Sequence, residues 1–230
     1  MAADVMSSTS PLALLGGTFD PVHWGHLRVA TETAAALKLP EVRLLPSKAP
    51  VHRVAPGATG EQRLAMLKLA LADAPGLAVD DRELRRDTPS YTVLTLASLR
   101  AEFPLRPLLW LIGVDAFVHI NHWYDWPRLF QLAHFVLLNR PGFAVSQALS
   151  PSLNEVWQGR LTRSPETLEN TTHGSIYLHT VTPQAISATA IRNTIAAGAT
   201  DALLLPFLPQ PVLAYIRTHQ LYRPAPLGKE

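Results

Sequence analysis

Cysteine is absent from this 230-residue chain. That excludes disulfides, thiolate metal sites, iron–sulfur clusters and a cysteine nucleophile, and it fits a cytoplasmic protein. Charge is scarce too. Only 17% of residues are Asp, Glu, Lys or Arg, against about 25% in ordinary soluble domains. Lys plus Arg number 20 and Asp plus Glu 18, so no basic surplus demands nucleic acid or a membrane surface. No run of about 18 apolar residues exists to span a bilayer. Met1 to Ser10 has neither a basic stretch nor an apolar one, and is expected to be a loose tail rather than a signal peptide. What is plentiful is proline, with 20 residues. Because proline fixes φ and removes a donor, stiff loops are expected. Hydrophobic residues make up 47%, enough for a sizeable core and too many for a disordered chain.

Periodicity gives alternating strands and helices. Apolar runs at Leu12–Leu15, Val42–Leu45, Leu77–Val79, Leu108–Ile112, Phe135–Leu138 and Ile176–Val181 predict strands. Helical spacing is expected over His26–Leu37, Glu61–Leu71, Tyr91–Leu99, Ala188–Ala197 and Val212–His219. That alternation implies βαβ units and a parallel sheet with helices on both faces. Ligands in such folds bind beyond the carboxyl ends of the strands. Residues 143–174 are polar and without clear period. They are expected to be a loop insertion on the surface, replaceable by a short linker.

One string dominates the chemistry: Gly16-Gly17-Thr18-Phe19-Asp20-Pro21-Val22-His23-Trp24-Gly25-His26. It follows the first strand and opens the first helix. Gly16 and Gly17 let backbone approach a ligand and permit positive φ. The helix start offers unpaired N–H groups and a positive dipole end, suited to phosphate. His23 and His26, three apart, face the same way, and Gly25 leaves room between them. No HExxH pattern or thiolate supports zinc. Neither a Walker lysine nor GxGxxG spacing is present. A second string, Ile186-Ser187-Ala188-Thr189-Ala190-Ile191-Arg192, places an N-cap serine, a hydroxyl and a guanidinium at another helix start.

Together the two strings resemble the nicotinate-nucleotide adenylyltransferase family, within the HxGH nucleotidyltransferase superfamily. The likeness continues through Arg82-Glu83-Leu84, Pro89-Ser90-Tyr91-Thr92, Ile112-Gly113-Val114-Asp115, Trp123-Tyr124, Arg140-Pro141-Gly142 and Leu221-Tyr222. The resemblance implies a Rossmann-like parallel sheet with a small C-terminal helical part. It makes residues 11–222 a single nucleotidyltransferase domain, with tails at 1–10 and 223–230. It implies adenylyl transfer from ATP to nicotinate mononucleotide, giving nicotinate adenine dinucleotide and pyrophosphate in NAD biosynthesis. In that reading Gly16, Gly17, Thr18, Phe19, Asp20, His23 and His26 hold ATP phosphates. Ser187, Thr189 and Arg192 cradle the β- and γ-phosphates, with His23, His26 and Arg192 catalytic. Asp115 lies near the nucleotides. Tyr91, Thr92, Trp123 and Tyr124 shape the pyridine-nucleotide pocket.

Magnesium is implied as a cofactor carried mainly by ATP phosphates; no metal-ligating residue is assigned. The oligomeric state stays open, a homo-oligomer included. The family's Asn-Asn-x-Pro-Pro-His segment departs here to Pro46-Ser47-Lys48-Ala49-Pro50-Val51-His52, and Lys48 is assigned to the mononucleotide phosphate. ISSTxIR appears as ISATAIR, with Ala188 lacking a hydroxyl. Rival readings are another acceptor, such as nicotinamide mononucleotide or phosphopantetheine, and a non-catalytic nucleotide-binding protein. Damage to His26 or Arg192 would mark the latter, and both are intact.

Overall fold

Strands form where short apolar runs are buried on both sides, which is why they read as continuous rather than alternating. The computed structural model describes residues 10–48, 56–139 and 144–223. All but Ser10 and Arg223 of the expected tails at 1–10 and 223–230, with the segment Ala49–Arg53 and the motif Arg140–Gly142, lie outside the described residues.

The strands are β1 (Leu12–Gly17), β2 (Val42–Pro46), β3 (Leu77–Val79), β4 (Leu108–Gly113), β5 (His134–Asn139), β6 (Leu161–Thr162) and β7 (Ile176–Thr180). They build one sheet in the order β3-β2-β1-β4-β5-β7-β6, and every neighbouring pair is parallel. The helices in chain order are α1 (Trp24–Ala36), α2 (Gly60–Leu71), α3 (Arg82–Arg85), α4 (Thr92–Glu102), α5 (Val114–Phe117) and α6 (Trp126–Leu129). They continue with α7 (Pro151–Arg160), α8 (Thr167–Asn170), α9 (Ala188–Ala196), α10 (Asp201–Leu204) and α11 (Gln210–Thr218).

The alternation of β1 shows how the layers form. Ala13 enters the core shared with Leu27, Met66, Ile191 and Val212, from α1, α2, α9 and α11. Leu12 and Leu14 enter the core of the other face, with Leu96, Phe117, Leu129 and Trp157 from α4 to α7. The result is a doubly wound α/β fold, as the strand–helix alternation predicts. Its strand order reverses between β1 and β4, which opens a crevice at their carboxyl ends. Among the described residues no helix is long and apolar enough to cross a membrane.

The segment 143–174 is not the structureless insertion its polarity suggests. Ser150 caps α7 by accepting from the Leu153 N–H at 3.4 Å. Leu153 and Trp157, one helical turn apart, are buried in the second core with Val145, and Leu168 is buried in the first. β6 then adds an edge strand beside β7. Leu153, Trp157 and the half-buried Val156 carry the packing of a largely polar decapeptide, too few to show as a period. A linker in place of 145–171 would open that core.

His134, on β5, is fully buried. Its Nδ1 accepts from the Ser175 N–H at 3.0 Å, and its Nε2 lies 2.8 Å from the Thr171 carbonyl, so the ring is neutral and donates from Nε2. Burial pushes its pKa down to about 4, whereas an unfolded chain titrates near 6.5. The unfolded state therefore binds the extra proton first, and stability falls as pH drops through that window. Between pH 7 and pH 5 the loss from this residue is expected to be about 2 kcal/mol. Urea unfolding at both pH values should show the wild type losing that much more than His134→Gln. An equal loss in both proteins would refute it.

Candidate active site

The chain leaves β1 through a turn that packs tightly enough to need small residues. A Cβ on Gly16 would come within 2.8 Å of the Trp110 ring, and one on Gly17 within 2.9 Å of Phe19. Neither glycine has positive φ; that conformation falls on Phe19, at φ 50°. The glycines thus supply space rather than an unusual backbone. Phe19 is buried and lies edge-on to the His26 ring, with centroids 5.0 Å apart.

His23 stands at the N-cap of α1 in extended conformation, and His26 is the third helical residue. Their rings stack, with centroids 3.7 Å apart at 23°. The His23 N–H donates to His26 Nδ1 at 3.3 Å. A neutral His26 must then carry its proton on Nε2, which makes that atom a donor. Burial pulls the His23 pKa down to about 4. Burial, then the neighbouring His23, hold His26 well below the ordinary histidine value. A Cβ on Gly25 would come within 3.0 Å of His23 Nδ1, so glycine there makes room for the ring.

These residues line one side of a cleft of about 760 Å³ at the carboxyl ends of β1 and β4. Gly16, Gly17, Thr18, His23 and His26 face it from the β1–α1 turn, and Asp115 from the start of α5. Ser90, Tyr91, Thr92, Trp123 and Tyr124 form a second group in its wall. The Tyr91 and Tyr124 rings pack at 4.8 Å. α4 begins at Thr92 with no side chain capping its first turn, so its leading N–H groups are offered at this wall. Two buried polar atoms on lining residues, His23 Nδ1 and Ser47 Oγ, have no partner in the protein. Buried polar atoms are nearly always paired, so both are suited to a polar ligand.

The wall is held from behind by two buried charges. Arg63 is 1% exposed and gives its donors to four carbonyls: Thr18 at 2.7 Å, Ser47 at 2.7 Å, Lys48 at 3.2 Å and Ala58 at 3.4 Å. It stitches the turn after β1 to the turn after β2. The Asp20 carboxylate points inward and accepts from the N–H groups of Gly57 at 2.8 Å and Ala58 at 3.1 Å. The Asp20 carbonyl accepts from Arg192 at 2.7 Å.

A family model described as Cytidylyltransferase-like matches residues 14–194. The probable nicotinate-nucleotide adenylyltransferase of Aeromonas hydrophila is 45% identical over 94% of this chain and 98% of its own. That of Xylella fastidiosa is 45% identical over 90% of this chain and 94% of its own. The chain belongs to the nicotinate-nucleotide adenylyltransferase family. Its fold matches the Plasmodium falciparum nicotinic acid mononucleotide adenylyltransferase solved with NaAD, with a TM-score of 0.68 at 16% identity over 93% of this chain and 97% of that one.

The cleft of this family member gathers ten of the residues expected from sequence: Gly16, Gly17, Thr18, His23, His26, Tyr91, Thr92, Asp115, Trp123 and Tyr124. Others lie elsewhere. Phe19 and Asp20 are buried behind the turn. Lys48 does not line the cleft; its ammonium donates to the Arg86 carbonyl at 2.5 Å and to Asp87 at 3.2 Å. Ser187 caps α9 by accepting from the Ala190 N–H, and Thr189 Oγ1 accepts from Arg192 at 3.2 Å. This cluster is tied to the β1–α1 turn through Asp20 rather than lining the cleft. Pro183, Gln184 and Ile186, just before it, do line the cleft, as do Ser47, Glu83 and His119, which sequence reasoning had not assigned to the site. Glu83, buried, accepts from Thr95 Oγ1 at 2.6 Å. The signal for Glu83 was its place in the Arg-Glu-Leu motif.

Proposed function

We propose that this chain transfers the adenylyl group of ATP to nicotinate mononucleotide, releasing pyrophosphate. The observation that carries the reading is the stacked His23–His26 pair at the start of α1, lining one cleft together with the Tyr91–Thr92–Trp123 wall. A polyanion fits the first side and a flat aromatic nucleotide the second.

The mononucleotide phosphate oxygen attacks the α-phosphorus of ATP, a new P–O bond forms, and the α–β bridging bond breaks to free pyrophosphate. The nucleophile is already an anion, so no strong base is required. Alignment and charge stabilisation supply the rate. His26 donates from Nε2 to a phosphate oxygen, and His23 offers its buried, unpartnered ring. The Trp24 and His26 N–H groups already donate to the Phe207 and His23 carbonyls, so the first turn of α1 adds positive potential through the Gly25 N–H and the dipole of that helix. Arg192, held beside the β1–α1 turn by the Asp20 carbonyl and Thr189, would turn its remaining donors to the β- and γ-phosphates once ATP is bound. Tyr91, Trp123 and Tyr124 sandwich the pyridine end.

Among the described residues no group of three or more His, Cys, Asp or Glu forms a metal cage. That donor set fits magnesium arriving on ATP, since this ion keeps waters and phosphates as ligands. Asp115, exposed at the cleft, is the carboxylate that would help hold it. Magnesium would neutralise phosphate charge.

The test is a panel of acceptors with ATP and magnesium, reading pyrophosphate. Nicotinate mononucleotide should give the highest kcat/KM. Turnover with phosphopantetheine and none with either pyridine mononucleotide would overturn the reading.

A further inference from the structure

Tyr222 lies 202 residues from Asp20 in sequence, yet its hydroxyl donates to the Asp20 carboxylate at 2.8 Å. We propose that Tyr222 is a positioning residue for the phosphate site, acting through Asp20 on Arg192; the proposal rests on the adenylyl-transfer reading above.

The chain goes to some length to put the ring there. After α11 ends, Gln220 and Tyr222 both take left-handed φ, at 51° and 63°, a conformation that non-glycine residues seldom adopt. Gly57 gives the ring its seat, since a Cβ there would come within 3.0 Å of it. Burial, then the adjacent Asp20, push the Tyr222 phenol well above its usual pKa, so the hydroxyl stays a donor at any working pH.

Asp20 collects three donors, from Gly57, Ala58 and Tyr222. The Arg192 guanidinium sits only 3.7 Å from its Oδ2. With the three donors in place, Arg192 rests on the Asp20 carbonyl and Thr189 and keeps its remaining donors for a ligand. Without the hydroxyl, a 4%-exposed carboxylate is short of one partner. The nearest replacement is Arg192, which would turn inward to pair with it and leave the phosphates. A buried charge short of a hydrogen bond takes the closest donor available.

The test is Tyr222→Phe, which keeps the ring and removes one oxygen. Loss of one hydrogen bond to a charged group predicts a fall of about tenfold in kcat/KM for ATP, with KM for the mononucleotide unchanged. In an Arg192→Ala background the same substitution should cost less than about twofold, because its target is gone. Equal losses in both backgrounds, or unchanged kcat/KM in Tyr222→Phe, would overturn the proposal. Calorimetric titration of ATP alone separates this result from the choice of acceptor. A wild type that binds ATP without using nicotinate mononucleotide refutes the acceptor. Tyr222 then stands if its substitution weakens ATP binding only when Arg192 is present, and falls otherwise.

Discussion

Nicotinate mononucleotide is expected to outrun nicotinamide mononucleotide by roughly 10²–10⁴ in kcat/KM at equal ATP and magnesium. The two acceptors differ in one group on the ring, a carboxylate that only accepts against an amide whose NH₂ donates. The wall that would meet it is the start of α4, where Thr92 brings a hydroxyl and the uncapped first turn brings N–H groups. Donors facing an acceptor pair well; donors facing an NH₂ leave both sides unpaired in a half-buried site. One hydrogen bond to a charged group contributes about 1.5–3 kcal/mol, so losing two costs about 3–6 kcal/mol. The α4 dipole adds to the preference for negative charge. Glu83, on the same wall, does not cancel it, because its carboxylate accepts from Thr95 and lies 3.9 Å from Arg86. A ratio near one, or one favouring the amide, would refute this assignment of the pocket and make a dual-specificity enzyme the better description.

His26→Ala is expected to fold and to lose about 10²–10³ in kcat, the usual cost of deleting one preorganised donor to transition-state charge. The ring is fixed from three sides: it stacks on His23, accepts from the His23 N–H and meets the edge of Phe19. Such restraint means little reorganisation when charge shifts toward the leaving pyrophosphate. The substitution also removes the group that pairs with the His23 N–H, a helix cap worth about 1 kcal/mol. A modest drop in melting temperature should therefore accompany the kinetic loss, and circular dichroism should remain that of the wild type. Near-normal turnover in the folded variant would remove His26 from the chemistry.

The sheet was legible because each of its main strands is an apolar run between punctuating residues, as at Val42–Pro46 and Leu108–Gly113. The β1–α1 turn was legible because its glycines and histidines are adjacent in sequence, so spacing alone brings them together. Helix α7 was not, since only Leu153 and Trp157 are buried, with Val156 half-buried beside them, while most of the helix is polar. Arg63, and the part Tyr222 plays beyond its place in the matching Leu221-Tyr222, were invisible for a different reason. Each looks like an ordinary surface residue, and most of its partners come from segments 15 to 202 positions away. Lys48 is a different case: its charge, assigned to the mononucleotide phosphate where the segment departs from the family pattern, donates in the folded chain to the Arg86 carbonyl and Asp87.

Arg63 has a consequence for what the cleft can hold. By accepting from one guanidinium, the carbonyls of Thr18, Ser47, Lys48 and Ala58 are turned away from the opening. A loop backbone ordinarily shows lone pairs and N–H groups in equal measure. Here the lone pairs of Thr18 and Ser47 are spent inward, so beside the His23 and His26 imidazoles the lining is short of acceptors, and the carboxylates of Glu83 and Asp115 line the cleft elsewhere. That corner of the cleft is polarised like the bead of an anion exchanger, able to discriminate by the sign of the charge before any shape is compared.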